Sequence, residues 1–186
     1  MNIIICPGIH EPELTESFVS GWLDRRLEIF MASTPVNIFI YPGRDCLTLS
    51  AVNIVEFLGD RLKQRQKSPV MFISFSAGVV GAIVAASWWQ HLGGNIKAFV
   101  AIDGWGVPLY GDFPIHRMSH NYFTHWSSSL LGSGQDNFYA EPAVDHLSMW
   151  RSPQSIQGWR LKSNQAPSCL SAAEFLHLLL KHYEEK

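Results

Sequence analysis

The chain is poor in charge. Only 16% of its 186 residues are Asp, Glu, Lys or Arg, against about a quarter in an ordinary globular protein, while 47% are hydrophobic. That balance excludes compositional disorder. The net charge of −2 comes with no basic stripe, so nucleic acid is not an expected partner. Cysteine is scarce as well: residues 6, 46 and 169 are odd in number and widely spaced. They offer neither a disulfide framework nor a metal spacing, and a reducing, cytoplasmic location is expected. The opening MNIIICPG lacks the charged segment and the length of a signal peptide. The longest apolar run, near Val79 to Trp89, is too short and too Ala-rich to span a bilayer. Gly8 lacks the following glycines of a dinucleotide fingerprint, and no loop matches a P-loop, so no nucleotide cofactor is expected. His116, His120 and His125 lie close in sequence, but the first two lack the partner Glu of a zinc helix and Pro114 argues against a helix there. No metal is expected. With no repeat, low-complexity tract or linker, residues 1–186 read as one domain.

Apolar runs bounded by turn residues are what the chain does have. Asn2 to Cys6 reads as a buried strand ended by Pro7-Gly8. Thr15 is the expected cap of a helix to about Phe30. Val36 to Tyr41 reads as a second strand, again ended by Pro-Gly. Leu49 to Arg65 has helical periodicity, with Val52, Val55, Leu58 and Leu62 on one face. Val70 to Ile73 is a short strand and Ile96 to Ile102 another. Ile115 to Ser119 is a candidate strand, Tyr122 to Leu131 a short helix, and Asn137 to Ala140 the last strand. Pro153 to Leu161 is assigned a helix. Ser171-Ala172-Ala173-Glu174 is a capping box opening a final helix with Phe175, Leu178, Leu179 and His182 along one side. Alternating strands and helices imply a three-layer α/β/α fold around a mostly parallel sheet of five to six strands. Ligands of such sheets sit beyond the carboxyl ends of the strands. Seven Trp and eleven Phe leave room for an aromatic-lined pocket.

The organising stretch is Ser68 to Ala86, SPVMFISFSAGVVGAIVAA. Strand, tight turn and helix follow one another, and the turn is Ser74-Phe75-Ser76-Ala77-Gly78. Ser74 and Gly78 flank Ser76 at minus two and plus two, where crowded backbones demand small residues. This is the context of a nucleophile elbow, although a plain strand-to-helix turn needs small residues too. The elbow would lift Ser76 Oγ clear of the sheet and turn the Ala77 N–H and the positive helix end toward the same space.

With Ser76 in that turn, the chain resembles the α/β-hydrolase fold in a minimal, lid-poor version without the family's first two strands. Ser74 departs from the usual first glycine. The resemblance implies the order nucleophile, acid, histidine, and a histidine in the loop after the last strand, which is His146 among eight in the chain. His91, His177 and His182 are less well placed. Asp103, ending the strand in AIDGWG, is the favoured acid, a placement similar to that in thioesterase domains of peptide and polyketide synthases; Asp112, Asp136 and Asp145 compete. Asn121 stands at the commoner later position, but an amide cannot support an imidazolium as a carboxylate does. The resemblance also implies an oxyanion hole from the Ala77 and Ile9 N–H groups, and a substrate site bordered by His10, Phe75 and Trp105. The expected activity is hydrolysis of a carboxylic ester or thioester of a small-molecule acyl substrate through an acyl-enzyme, without cofactor or metal. The rival from another class is a non-catalytic hydrolase-like protein that holds a ligand or partner in the same pocket.

Overall fold

In the computed structural model, residues 1–22, 36–62 and 67–185 are described. One eight-stranded sheet runs through the chain in the order β2-β1-β3-β4-β5-β6-β7-β8. Its strands are β1 (Asn2–Cys6), β2 (Asn37–Ile40), β3 (Pro69–Phe75), β4 (Asn95–Ile102), β5 (Ile115–Ser119), β6 (Asp136–Ala140), β7 (Gln157–Lys162) and β8 (Ser168–Ser171). Neighbours from β2 through β6 are parallel, and β6, β7 and β8 are antiparallel. The helices are α1 (Pro12–Trp22), α2 (Ala51–Leu62), α3 (Gly78–His91), α4 (Tyr122–Ser129), α5 (Ser148–Arg151) and α6 (Ala172–Glu184), with a 3₁₀ turn over Asp45–Leu49.

The central strands are apolar throughout because both faces are covered. On one face Ile3, Ile5, Met71, Ile73, Val100 and Ile102 pack with residues of α1, α5 and α6. On the other, Ile4, Val70, Phe72 and Phe99 pack with residues of α2 and α3. Each such side chain is worth about 1.5–3 kcal/mol when fully buried. The expected three-layer α/β arrangement is thus the observed one, with a larger sheet. The count of five to six strands describes the parallel part; β7 and β8 extend it to eight. Pro153 to Leu161 is not a helix. Its second half is β7, which pairs with β6 from Ala140↔Gly158 to Asp136↔Lys162. Asn137 to Ala140 is therefore the last parallel strand and not the last strand.

The first two helices also depart from the expected pattern. Helix α1 begins at Pro12, whose missing N–H suits a first helical position. Thr15 is not its cap but a buried residue within it, and its Oγ1 accepts the Trp150 indole N–H at 3.2 Å. The expected continuation of this helix past Trp22 lies outside the described residues. In α2 the buried line is Ile54, Leu58 and Leu62, spaced by four, while Val52 is exposed; residues 63–66 lie outside the described residues. The capping box on α6 is present: the Ser171 hydroxyl accepts the Glu174 N–H, and the Glu174 carboxylate accepts the Ser171 N–H at 2.7 Å. Leu178 on that helix faces outward, and Leu176, Leu180 and Tyr183 join Phe175 and Leu179 inside. No helix among the described residues is long and apolar enough to cross a membrane.

Candidate active site

Four strand ends meet at one edge of the sheet. β3 ends at Phe75, β4 at Ile102 and β5 at Ser119, so Ser76, Asp103 and His120 each stand one residue past a carboxyl end; the loop after β6 carries His146. Ser76 has φ of +50°, in the left-handed region that a non-glycine residue occupies only when its surroundings impose it. The imposition is visible. The Ser76 N–H donates to the Ile102 carbonyl at 2.9 Å, and Val79 N–H donates to the Ser76 carbonyl at 3.1 Å as α3 begins. A Cβ at Gly78 would run into the Cys6 and Pro7 carbonyl oxygens, so only glycine lets α3 start this close to the end of β1.

Asp103 makes a second such corner, with φ of +51°. Its N–H donates to the Met118 carbonyl at 2.8 Å, and its carboxylate is buried. Oδ1 accepts the His120 backbone N–H at 2.8 Å, and Oδ2 accepts ring N–H groups from both His120 Nδ1 and His146 Nδ1, each at 3.0 Å. A carboxylate only accepts, so both imidazoles carry their hydrogen on Nδ1. That tautomer leaves His146 Nε2 with a lone pair, and the Ser76 hydroxyl lies 3.0 Å from it, donating. Burial by itself raises the Asp103 carboxyl, but the hydrogen bonds from His120 and His146 outweigh it and hold it below the usual carboxylate range. The hydrogen bond to Asp103 in turn lifts His120 above the ordinary histidine value, against its partial burial.

His146 is also held by packing. Its ring stacks on Phe75 at 4.8 Å between centroids, Phe75 on Trp150 at 4.8 Å, and Trp150 on Phe18 at 3.7 Å. This column reaches from α1 through α5 to the imidazole. Phe75 is fully buried inside it, so it supports His146 and presents no surface to a ligand. Beside Ser76 opens a cavity of about 390 Å³ lined by Ala77, Val80, Asp103, Trp105, Val107 and His120, among others. Its position is fixed from β5: buried Arg117 donates from Nη2 to the Val107 and Leu131 carbonyls at 3.1 Å and from Nε to Gly132 at 2.6 Å.

The other expected residues fall as follows. Gly8 packs against Ser76, with room for a Cβ only 3.0 Å from the serine Cβ. Ile9 and His10 follow it but border a neighbouring hollow of about 610 Å³ with Tyr41 and Arg44, not the cavity beside Ser76. His10 donates from Nδ1 to the Glu11 carbonyl, with its ring 5.7 Å from Phe75. Asp136, a competitor for the acid, is engaged by Arg160, with Nε 2.9 Å from Oδ1. Asn121 caps α4 by accepting the Thr124 N–H at 2.7 Å. Cys6 is fully buried, and burial pushes its thiol up to about 12, which removes it as a thiolate nucleophile at neutral pH.

His116, His120 and His125 do not gather. His116 donates to the Asp136 carbonyl and accepts from the Tyr183 hydroxyl, both at 2.8 Å, and His125 stacks on Tyr139. Among the described residues, the group able to offer a metal three ligand atoms is Asp103, His120 and His146, all within 4.8 Å. Asp103 Oδ2 accepts from Nδ1 of both histidines, so in this arrangement these three atoms are hydrogen-bond partners. His120 is the residue that sequence reasoning placed only among metal candidates. Its position one residue past a candidate strand is visible in the sequence, but its place beside Asp103 comes from sheet register, which is not.

No family model matches the chain, and no curated protein matches it. Among solved structures it is similar to the RedJ thioesterase from the prodiginine biosynthetic pathway in Streptomyces coelicolor, at 18% identity and a TM-score of 0.40, over 60% of this chain and 41% of that one. The chain thus spans less than half the length of that protein. Fold and site together describe an α/β protein with a serine, a histidine and an aspartate in one hydrogen-bonded line at the carboxyl edge of its sheet.

Proposed function

We propose that this protein is a serine hydrolase that cleaves a carboxylic ester or thioester through an acyl-enzyme. The observation that carries the reading is the unbroken line from Ser76 Oγ to His146 Nε2 and from His146 Nδ1 to Asp103 Oδ2, each link 3.0 Å. In the first half-reaction Ser76 Oγ attacks the carbonyl carbon while His146 Nε2 takes its proton. The buried Asp103 carboxylate stabilises the imidazolium so formed. His146 then returns the proton to the departing alcohol or thiol, and the acyl group stays on Ser76. Water repeats the sequence: His146 takes its proton, the new oxygen attacks, and Ser76 leaves as the free hydroxyl with the acid as product. The Ala77 and Ile9 N–H groups are assigned to the oxyanion, with the N-terminus of α3 adding its positive end.

The cavity beside Ser76 favours a neutral, apolar group in the substrate. Val80, Trp105 and Val107 supply its apolar walls, and among the described residues no Lys or Arg lines it to meet a carboxylate or phosphate. Trp105 is fixed at the rim by its indole N–H, which donates to Ser127 Oγ at 3.1 Å.

The test is Ser76→Ala against short p-nitrophenyl esters and acyl thioesters. Loss of a nucleophile removes several orders of magnitude in turnover, and that loss is expected with the circular dichroism spectrum unchanged. Equal rates for variant and wild type would remove Ser76 as the nucleophile.

A further inference from the structure

Asp103 serves two histidines, and the hydrolysis scheme uses only one of them. His120 gives the carboxylate two donors, its backbone N–H to Oδ1 at 2.8 Å and its ring Nδ1–H to Oδ2 at 3.0 Å. The second bond lands on the same oxygen that accepts His146 Nδ1–H, and the two rings stand edge to face, 5.9 Å apart. The His120 carbonyl accepts the Val144 N–H at 3.0 Å, which ties the loop bearing His146 to the end of β5. The His120 ring lines the same cavity as Ser76. One residue thereby contacts the acid, the loop of the base and the space a substrate would fill.

We propose that His120 is a positioning residue of this site: its ring fixes the Asp103 carboxylate so that Oδ2 faces His146, and it shares that oxygen with His146, so that a charge on His120 bears directly on the imidazolium His146 forms during the reaction. The inference rests on the reading of Ser76 and His146 given above. Among the described residues, the charged or titratable groups that face His120 are Asp103 from the end of β4, and Asp145 and His146 from the loop after β6. The other cavity residues around it, Ser76, Ala77, Val80, Trp105, Val107 and Thr124, carry no charge. His125 on α4 turns instead toward Tyr139.

The chemical consequence is a limit on the acid side. With His120 neutral, Asp103 supports the His146 imidazolium that forms when Ser76 loses its proton. With His120 protonated, the carboxylate is already balanced by one cation, and a second imidazolium 5.9 Å away is opposed by like charge. Proton transfer from Ser76 to His146 is then disfavoured.

The experiment compares wild type with His120→Asn and His120→Leu. Asparagine places an N–H donor where Nδ1 stands and does not titrate; leucine removes the donor. In histidine-labelled protein followed by NMR, the His146 Nδ1–H proton bonded to Asp103 should give the same low-field resonance in wild type and His120→Asn and a shifted or broadened one in His120→Leu. Turnover should fall roughly ten- to a hundredfold in His120→Leu, the value of a hydrogen bond to a charged group, with KM changed less than about twofold. His120→Asn should restore most of that loss at neutral pH, and its acid limb should be shallower than that of the wild type, because asparagine takes up no proton. An unshifted His146 Nδ1–H resonance in His120→Leu, or a His120→Asn variant as slow as His120→Leu, would overturn the proposal. The resonance reads no hydrolysis, so inactivity of the wild type, or indifference to Ser76→Ala, would count against the hydrolase reading and leave the positioning of Asp103 to be decided by the NMR signal.

Discussion

Asp103→Asn isolates the carboxylate's part in the site. The Asp103 carboxylate accepts three N–H groups, at 2.8, 3.0 and 3.0 Å, and donates nothing. An amide of the same shape has one acceptor and one donor end, so it cannot satisfy all three. If the amide oxygen takes the place of Oδ2, both ring N–H bonds survive, but the NH₂ group faces the His120 backbone N–H. That leaves buried donors opposed, at about 1–3 kcal/mol of stability. The His146 imidazolium then leans on a neutral group, and losing a charge-assisted bond of about 1.5–3 kcal/mol in the transition state slows turnover roughly ten- to a hundredfold. If the NH₂ group takes that place instead, both imidazoles must move their hydrogen to Nε2. His146 would then donate to Ser76 and could not take its proton, a fault that costs about 10⁴ in a serine protease with the corresponding change. The expected loss lies between these bounds, roughly 10² to 10⁴ in kcat/KM, together with a modest fall in thermal stability. The assay is steady-state hydrolysis of a p-nitrophenyl ester of an apolar acid, run beside Asp136→Asn and Asp145→Asn. Asp136 is engaged by Arg160, so its variant should lose stability before rate. Turnover of Asp103→Asn within about threefold of wild type would refute the argument that this carboxylate supports the imidazolium.

Gly78→Ala should cost about 2–3 kcal/mol of stability and most of the turnover, because the new Cβ meets the Cys6 and Pro7 carbonyls and α3 must back away from the loop after β1. Gly59→Ala in α2, with nothing within 4 Å of the new methyl, should be neutral or stabilising by up to about 1 kcal/mol, and guanidinium melts of the pair check both. Burial lowers His116 from 6.5 to about 4, so the unfolded chain binds its proton first as pH falls. The stability this neutral histidine contributes is therefore present above about pH 6.5 and is lost on descent toward pH 4, by roughly 3 kcal/mol in all. His116→Asn should flatten that part of the stability–pH curve, and an unchanged slope would remove His116 as its source.

Local crowding made Ser76 legible in the sequence: a turn this tight leaves a short list of residues at 74 and 78, and the list is visible in one dimension. Asp103 could be found because it closes a strand, and His146 because of its place in the chain order. His120 could not, since its relation to Asp103 is a matter of register. Pairing of Ile102 with Met118 brings the carboxyl ends of β4 and β5 together, so that Asp103 stands level with Ser119 and next to His120 one residue on, and nothing in either strand announces that neighbour. The same holds for β7 and β8. Residues 168–171, Ser-Cys-Leu-Ser, have no strand-like run of their own, and it is pairing with β7 that makes them a strand. Between the two strands Asn164, at φ of +63°, turns the chain back. The helix assigned to Pro153 to Leu161 hid β7, an interior strand whose partners, β6 and β8, lie elsewhere in the chain. In α2 the choice between Val52 and Ile54 as the inward residue depended on where the helix axis met the sheet, which periodicity alone does not fix.

In the proposed chemistry Ser76 Oγ is a nucleophile activated by His146. A fluorophosphonate tests it without assuming any natural substrate, because it reacts with an activated serine hydroxyl and leaves a stable phosphonyl ester of known mass. Intact-protein mass spectrometry should show a single adduct, and peptide mapping should put it on Ser76. Ser76→Ala should take up none, and His146→Ala should label far more slowly. An unlabelled wild-type protein at probe concentrations that saturate other serine hydrolases, or an adduct on a different residue, would contradict the account and favour a pocket that binds without reacting.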